Sequence, residues 1–228
     1  MNIETATTVC SVALSENGKA LALKEVNNGY THSENLTVFI EDLFSQTGCK
    51  PSELEAVAVS KGPGSYTGLR IGVSTAKGLC YGLGIPLISV STLQAMAYRF
   101  INAPDRNLNF QNSILCPMLD ARRMEVYCAL YDVQLNEVGP VQAKIIDAHS
   151  FEEQLRDKTI YFFGDGAAKC TQILNVHSTA VFSEGGDPSA TALISFAEEA
   201  FKAGRFESVA YFEPYYLKDF IAGPKKVS

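Results

Sequence analysis

The sequence predicts an α/β protein built from two related halves, each reading βββαβαβα. Three observations predict it. Apolar runs of strand length alternate with longer stretches of helical periodicity. The same order of elements occurs twice, on either side of an Asn-, Pro- and Arg-containing linker at residues 102–111. The chain has 228 residues, 46% hydrophobic and 19% charged, which is enough to bury a core without staples and rules out disorder as its main state.

In the first half, Met1–Glu4 reads as the end of a strand. Val9–Ser15 and Ala20–Val26 are strands joined by Glu16-Asn17-Gly18-Lys19, where Asn-Gly supplies left-handed backbone. A helix is expected from Ser33 to Gln46, with Leu36, Ile40, Leu43 and Phe44 on one face and Gly48 as its stop. Leu54–Ser60 reads as a buried strand. A turn at Lys61-Gly62-Pro63-Gly64-Ser65 leads into a helix from Thr67 to Leu83. Ile85–Val90 is a strand, and Ser91 or Thr92 caps a helix to Phe100. In the second half, Ile114–Leu119, Glu125–Tyr131 and Val141–Ile146 are strands and Ser150–Arg156 a short helix. Ile160–Phe163 is a strand, Gly166–Leu174 a helix and Thr179–Phe182 a weak strand. Asp187-Pro188 then opens a helix that Gly204 stops. The halves are 1–102 and 103–228, with helix 188–204 a candidate to pack back on the first.

Composition excludes several classes. The formal charge of −6 argues against a broad nucleic-acid grip, which needs a surplus of Lys and Arg. Six cysteines at 10, 49, 80, 116, 128 and 170 form no Cys-x-x-Cys; they read as small buried hydrophobes in a reducing, cytoplasmic setting. Residues 78–98 carry no charge, but Gly84-Ile85-Pro86 breaks the stretch, so no membrane span is expected.

Three segments could carry chemistry. The hairpin Glu4-Thr5-Ala6-Thr7-Thr8 places an acid before small hydroxyl residues, an arrangement that can wrap phosphate. Asp120, before Ala121-Arg122-Arg123, is its counterpart in the second half, and Gly164-Asp165-Gly166 is a nucleotide-edge turn. Glu4, Thr5, Thr7, Asp120, Gly164 and Gly166 are thus the nucleotide-cleft candidates. The Gly62–Gly72 run opens a helix, where N–H groups and the dipole favour an anion; it lacks the P-loop Gly-Lys-Ser/Thr. Gly68, Gly72 and Ala76 lie four apart. A glycine inside a helix costs about 1 kcal/mol relative to alanine, so another surface should approach closely, from within the chain or from another subunit. No metal-ligand set and no Ser/Cys-His-Asp arrangement stands out. His32 reads as a helix-cap or loop residue.

Ile3-Glu4-Thr5, His32-Ser33-Glu34-Asn35-Leu36, the run Lys61–Gly72, Leu119-Asp120-Ala121-Arg122-Arg123-Met124-Glu125-Val126-Tyr127 and Pro214-Tyr215-Tyr216-Leu217 together resemble the bacterial TsaB (YeaZ) family, over nearly the whole chain. The resemblance implies an actin-like, sugar-kinase-like ATPase fold of two domains facing a cleft. It also implies a part in forming N6-threonylcarbamoyladenosine at position 37 of ANN-decoding tRNAs. The partners implied are a longer TsaD-type transferase paralogue, as a heterodimer, and a TsaE-type ATPase, with a homodimer when the chain is alone. tRNA is expected only through the complex. Related proteins have carried glycoprotease or M22 peptidase labels. The paralogue resembles Leu87–Ala97, with a metal-binding His-x-x-x-His whose places Thr92 and Met96 occupy here; neither suits iron or zinc. Glu4 stands where relatives more commonly have Asp. The resemblance therefore implies a protein without catalytic activity of its own and with no required cofactor or metal, weak ATP or ADP binding being the alternative.

On this reading His32, Glu34, Leu36, Ile40, Leu69, Gly68, Gly72, Ala76 and Leu79 form the partner interface, where helices 33–46 and 67–83 would join two helices of the partner. The alternatives are a small ATPase or kinase of the same superfamily and an M22-type metallopeptidase. Turnover of ATP with Mg²⁺ would favour the first, and a stoichiometric metal the second. Arg122-Arg123 and Lys225-Lys226 are small basic spots that read mainly as solvated charge.

Overall fold

The computed structural model describes residues 1–29, 31–104, 108 and 110–218. Lys225-Lys226 and part of the 102–111 linker lie outside the described residues. The first sheet contains β1 (Asn2–Glu4), β2 (Val9–Glu16), β3 (Lys19–Asn27), β4 (Val57–Ser60) and β5 (Leu87–Val90), in the order β3-β2-β1-β4-β5. Its first three strands are antiparallel, and β1, β4 and β5 run parallel. The second sheet contains β6 (Ser113–Asp120), β7 (Glu125–Tyr131), β8 (Glu137–Ile145), β9 (Thr159–Phe163) and β10 (Ala180–Phe182). Its order, β10-β9-β6-β7-β8, is the same plan with the same strand directions. The repeated mixed sheet is the actin-like α/β architecture.

The helices are α1 (His32–Thr47), α2 (Tyr66–Leu83), α3 (Thr92–Ile101), α4 (Glu152–Asp157), α5 (Thr171–Leu174) and α6 (Ala190–Lys202). The expected Ser91 cap forms and Ser65 caps α2, whereas α1 starts after Thr31 with no side-chain cap. Ser65 Oγ accepts from Gly68 N–H and Ser91 Oγ from Gln94 N–H. Gly48, left-handed at φ 73°, closes α1. Several boundaries differ from expectation, four of them by more than a residue or two. A 3-10 turn at Pro51–Glu53 delays β4 to Val57. β8 starts at Glu137, four residues early. The predicted helix 166–174 is a 3-10 turn at Ala168–Cys170 followed by α5. Pro188 lies before α6 rather than in its first turn, and Ser189, extended at φ −154°, takes the cap position.

One face of the first sheet, with Ile3, Cys10, Val12, Val57 and Val59, packs under Leu36, Ile40 and Leu43 of α1 and Val73 and Ala76 of α2. The opposite face is covered by α6, whose Ala192, Leu193 and Ala200 meet Ala58, Ile88 and Val90. Helix α3 leaves the first half and covers the second sheet instead. Leu93, Met96, Ala97 and Phe100 pack on Leu115, Leu119, Tyr131 and Phe163, and the Phe100 and Phe163 rings stack at 3.8 Å. Such a ring pair adds about 1 kcal/mol beyond its buried area. The two halves are thus tied together by exchanged helices. All six thiols are free, and only Cys49 is more than marginally exposed. Residues 78–98 divide among α2, β5 and α3, and no described helix is long and apolar enough to cross a membrane.

Candidate functional site

Glu4 ends β1 and is completely buried. Strand alternation sends Ile3 towards α1 and α2, and Glu4 towards the face that α6 covers. Glu4 Oε1 accepts from the Ala6 N–H at 2.6 Å and from Ser60 Oγ at 2.8 Å, while Oε2 has no hydrogen-bond partner. Burial pushes the carboxyl up to about 7, against the pull of the Ala6 N–H, the Ser60 hydroxyl and the Thr5 N–H; the charge of Glu25 pushes the same way as burial. Thr5 Oγ1 donates to Gly68 O at 2.8 Å, and Thr7 Oγ1 accepts from Val9 N–H at 3.2 Å. The His32 Nε2 lies 2.7 Å from Thr7 O, and burial lowers the imidazole's proton affinity.

The hairpin therefore plugs into the helix layer. A Cβ at Gly68 would overlap the Thr5 carbonyl oxygen, one at Gly72 the Thr5 hydroxyl, and one at Gly64 the Ala6 carbonyl. The surface that approaches these glycines is the chain's own hairpin. The hairpin also takes up part of the Gly62–Gly72 run. Several N–H groups around the run are used within the chain: Lys61 N–H with Val90 O, Gly62 N–H with Thr92 Oγ1, Ser65 N–H with Ala6 O and Gly68 N–H with Ser65 Oγ.

Asp120 is not a mirror of Glu4. In β6, Ile114, Cys116 and Met118 face the α4–α5 side and Leu115 and Leu119 face α3. Asp120 falls on the former face, more than half exposed, paired with Lys169 and accepting the Arg122 N–H at 2.9 Å. Partial burial raises its proton affinity, but the Lys169 ammonium and the Arg122 N–H outweigh it and hold the carboxyl below its ordinary value. Its own N–H donates to Asp165 Oδ1 at 2.9 Å. Asp165 is pushed up by burial and by the neighbouring charges of Asp120 and Asp187.

Gly164 and Gly166 are packing positions. A Cβ at Gly164 would lie 2.5 Å from Met118 O, one at Gly166 would lie 2.7 Å from Leu119 C, and the Gly166 N–H donates to Met118 O at 3.0 Å. The adjoining cavity of about 340 Å³ is lined by Asp165, Glu184 and Asp187 and by no cation, so phosphate there would need a counter-ion. A larger cavity of about 690 Å³, between α3, α6 and the β7–β8 turn, is lined by Lys61, Gln94, Tyr98, Glu199 and Arg205 among others. Its residues come from five separated segments, and nothing local in the sequence marks it. Among the described residues no three His, Cys, Asp or Glu side chains converge as metal ligands.

The named helix residues separate by depth. His32, Leu36, Ile40, Gly68, Leu69, Gly72 and Ala76 are buried within this chain, so substitutions at Gly72 or Ala76 act on folding before they act on pairing. Leu79 is half-buried and Glu34 exposed. The outward stripe of α2 is Ser74, Gly78 and Gly82, all exposed, with Val38 exposed on neighbouring α1. A Cβ at Gly78 or Gly82 would meet nothing within 4 Å.

The profile of the family described as TsaD, tRNA N6-adenosine threonylcarbamoyltransferase, matches residues 28–219. The chain is 30% identical over 228 residues to the tRNA threonylcarbamoyladenosine biosynthesis protein TsaB of Escherichia coli (strain K12), covering 98% of this chain and 96% of that protein. It is 25% identical over 232 residues to the protein of the same name from Haemophilus influenzae, covering 98% and 94%. Among solved structures, an uncharacterized Pseudomonas aeruginosa protein with similarity to peptidase YEAZ matches at TM-score 0.77 and 25% identity, covering 95% of this chain and 97% of that one.

Proposed function

The chain belongs to the TsaB (YeaZ) family of tRNA threonylcarbamoyladenosine biosynthesis proteins, and on that premise we propose that it is the non-catalytic partner of the TsaD-type transferase in that pathway. The observation that carries the reading is the outward Ser74–Gly78–Gly82 stripe. Gly68 and Gly72 have an internal reason to be glycine. Gly78 and Gly82 have none, although each costs the helix about 1 kcal/mol. Close approach of a partner helix supplies the missing gain.

The places of the paralogue's metal-binding histidines support the same reading. Thr92 is fully buried, with its hydroxyl accepting the Gly62 N–H, and Met96 packs in the α3 core. A hydroxyl and a thioether engaged in this way do not suit the iron or zinc of an imidazole site. The role needs no cofactor from this chain.

Two measurements test the proposal. In an omission reconstitution, the transferase paralogue, the ATPase partner, the threonylcarbamoyl-AMP synthase, ATP, threonine, bicarbonate and tRNA are mixed with and without this chain. Nucleoside mass spectrometry should find threonylcarbamoyladenosine only when the chain is present, and the chain alone should make none. Equal product in both mixtures rejects the proposal. Second, Gly78→Glu should abolish pairing with the paralogue in size-exclusion chromatography while leaving the thermal midpoint of the lone chain unchanged or higher. Intact pairing would put the interface elsewhere.

A further inference from the structure

We propose that the junction between the α2 N-terminus, the C-terminal strap and the β6–β7 turn is a contact surface for unpaired RNA. The choice of RNA rests on the function proposed above; the surface itself is read from this chain. After α6 the chain runs along α2, where Lys77 Nζ donates to Ala210 O and Phe212 O, and Tyr215 N–H donates to Lys61 O. This route brings Tyr216 against Tyr66, ring centroids 4.7 Å apart, and Arg70 lies 5.4 Å from the Tyr66 ring. Two residues on, Lys218 reaches the second half. It pairs with Glu125, contacts Ala121 O and lies 5.9 Å from the Tyr127 ring. A line of partly exposed aromatic rings and cations thus crosses from one half to the other.

The β6–β7 turn extends that line. Arg122 and Arg123 are exposed and both left-handed, at φ 70° and φ 49°. L side chains adopt that backbone at a cost, and Asn-Gly is what a tight hairpin ordinarily selects; the β2–β3 turn of this chain uses it. Here two long cations stand in its place. Neither has an ion-pair partner among the described residues, and neither does Arg70. In a chain of formal charge −6, Arg70, Arg122 and Arg123 are exposed cations beside a tilted pair of tyrosine rings, with Glu125 taken up by Lys218. Aromatic faces accept bases by stacking, and arginines beside them pair with phosphates; an unpaired RNA segment offers both groups. An acidic peptide would use the cations but not the rings.

The test uses the left-handed turn. Arg122→Gly combined with Arg123→Gly removes both charges and relieves the backbone, so its thermal midpoint should not fall. A fluorescein-labelled heptaribonucleotide is titrated by anisotropy into the chain alone and into its complex with the transferase paralogue, over a range of salt. The double variant should bind about tenfold more weakly at low salt, and its salt slope should fall by about 1.4 for two lost phosphate contacts. Tyr216→Ala should lose about tenfold with the slope unchanged. Wild-type affinity and slope in the double glycine variant would overturn the proposal. So would failure of the wild-type chain to bind in either form, or equal competition by polyglutamate. The omission reconstitution does not involve these variants, so loss of the partner role and loss of this surface are separate outcomes.

Discussion

Gly68→Ala is expected to destabilise the protein by about 3 kcal/mol, at the upper end for adding one methyl group to a packed site. The added carbon overlaps the Thr5 carbonyl oxygen and also comes within 3.2 Å of the His32 ring. Neither neighbour can yield cheaply. Thr5 is held by its hydroxyl to the Gly68 carbonyl, and His32 is buried with its ring nitrogen against Thr7 O. The helix cannot retreat either, because Leu69 and Val73 lie in the core on either side. Urea denaturation should show a lower midpoint at unchanged slope. Gly78→Ala is the control, since its methyl group meets open space and alanine favours the helix by about 1 kcal/mol. The account is falsified if Gly68→Ala is as stable as the wild type.

Glu4→Gln is expected to change the pH dependence of stability. The buried carboxyl holds its proton to about 7, against an ordinary value of 4.5. Between those values the native state binds more protons than the unfolded chain. Stability from this group is therefore complete below the ordinary value and declines as pH rises through about 7. The full swing is on the order of 3 kcal/mol. Glutamine cannot ionise, so the variant loses this decline. Groups common to both proteins, such as the buried Met1 amine and His32, cancel in the comparison. Urea midpoints at pH 5 and pH 8 provide the check. The variant should gain on the wild type between the two, and parallel behaviour would show that Glu4 is already ionised at pH 5.

The order of elements was legible because it rests on local signals. Strand-length apolar runs, the Asn17-Gly18 turn and the Ser91 cap each act within a few residues. What the glycines of α2 face was not legible. Gly68 and Gly78 occupy similar helical contexts, and only the position of Thr5, 63 residues from Gly68 in sequence, separates a packed glycine from an open one. The orientation of Asp120 escaped for a related reason. A one-residue change in where a strand ends turns a side chain to the other face, and the acid-before-turn pattern does not record that change. The two tight glycines at 164 and 166 resembled a ligand turn because close backbone packing and close ligand approach ask for the same residue.

The exchange of α3 and α6 between the sheets has a consequence for the chain as it leaves the ribosome. All five strands of the first sheet have been made once Val90 is synthesised, and α1 and α2 can cover one face at once. The other face waits for α6, which ends at Lys202. At roughly 5–20 residues per second that wait is on the order of 10 s. Through it Ala58, Ile88 and Val90 are without their cover, while α3 is without the second sheet on which it packs. The nascent protein therefore presents two unfinished apolar surfaces at the same time, a substrate for holding chaperones, and it closes both only near the end of translation. Stop codons or proteolytic cuts anywhere between Ile101 and Ala190 should leave an aggregating fragment rather than a soluble half.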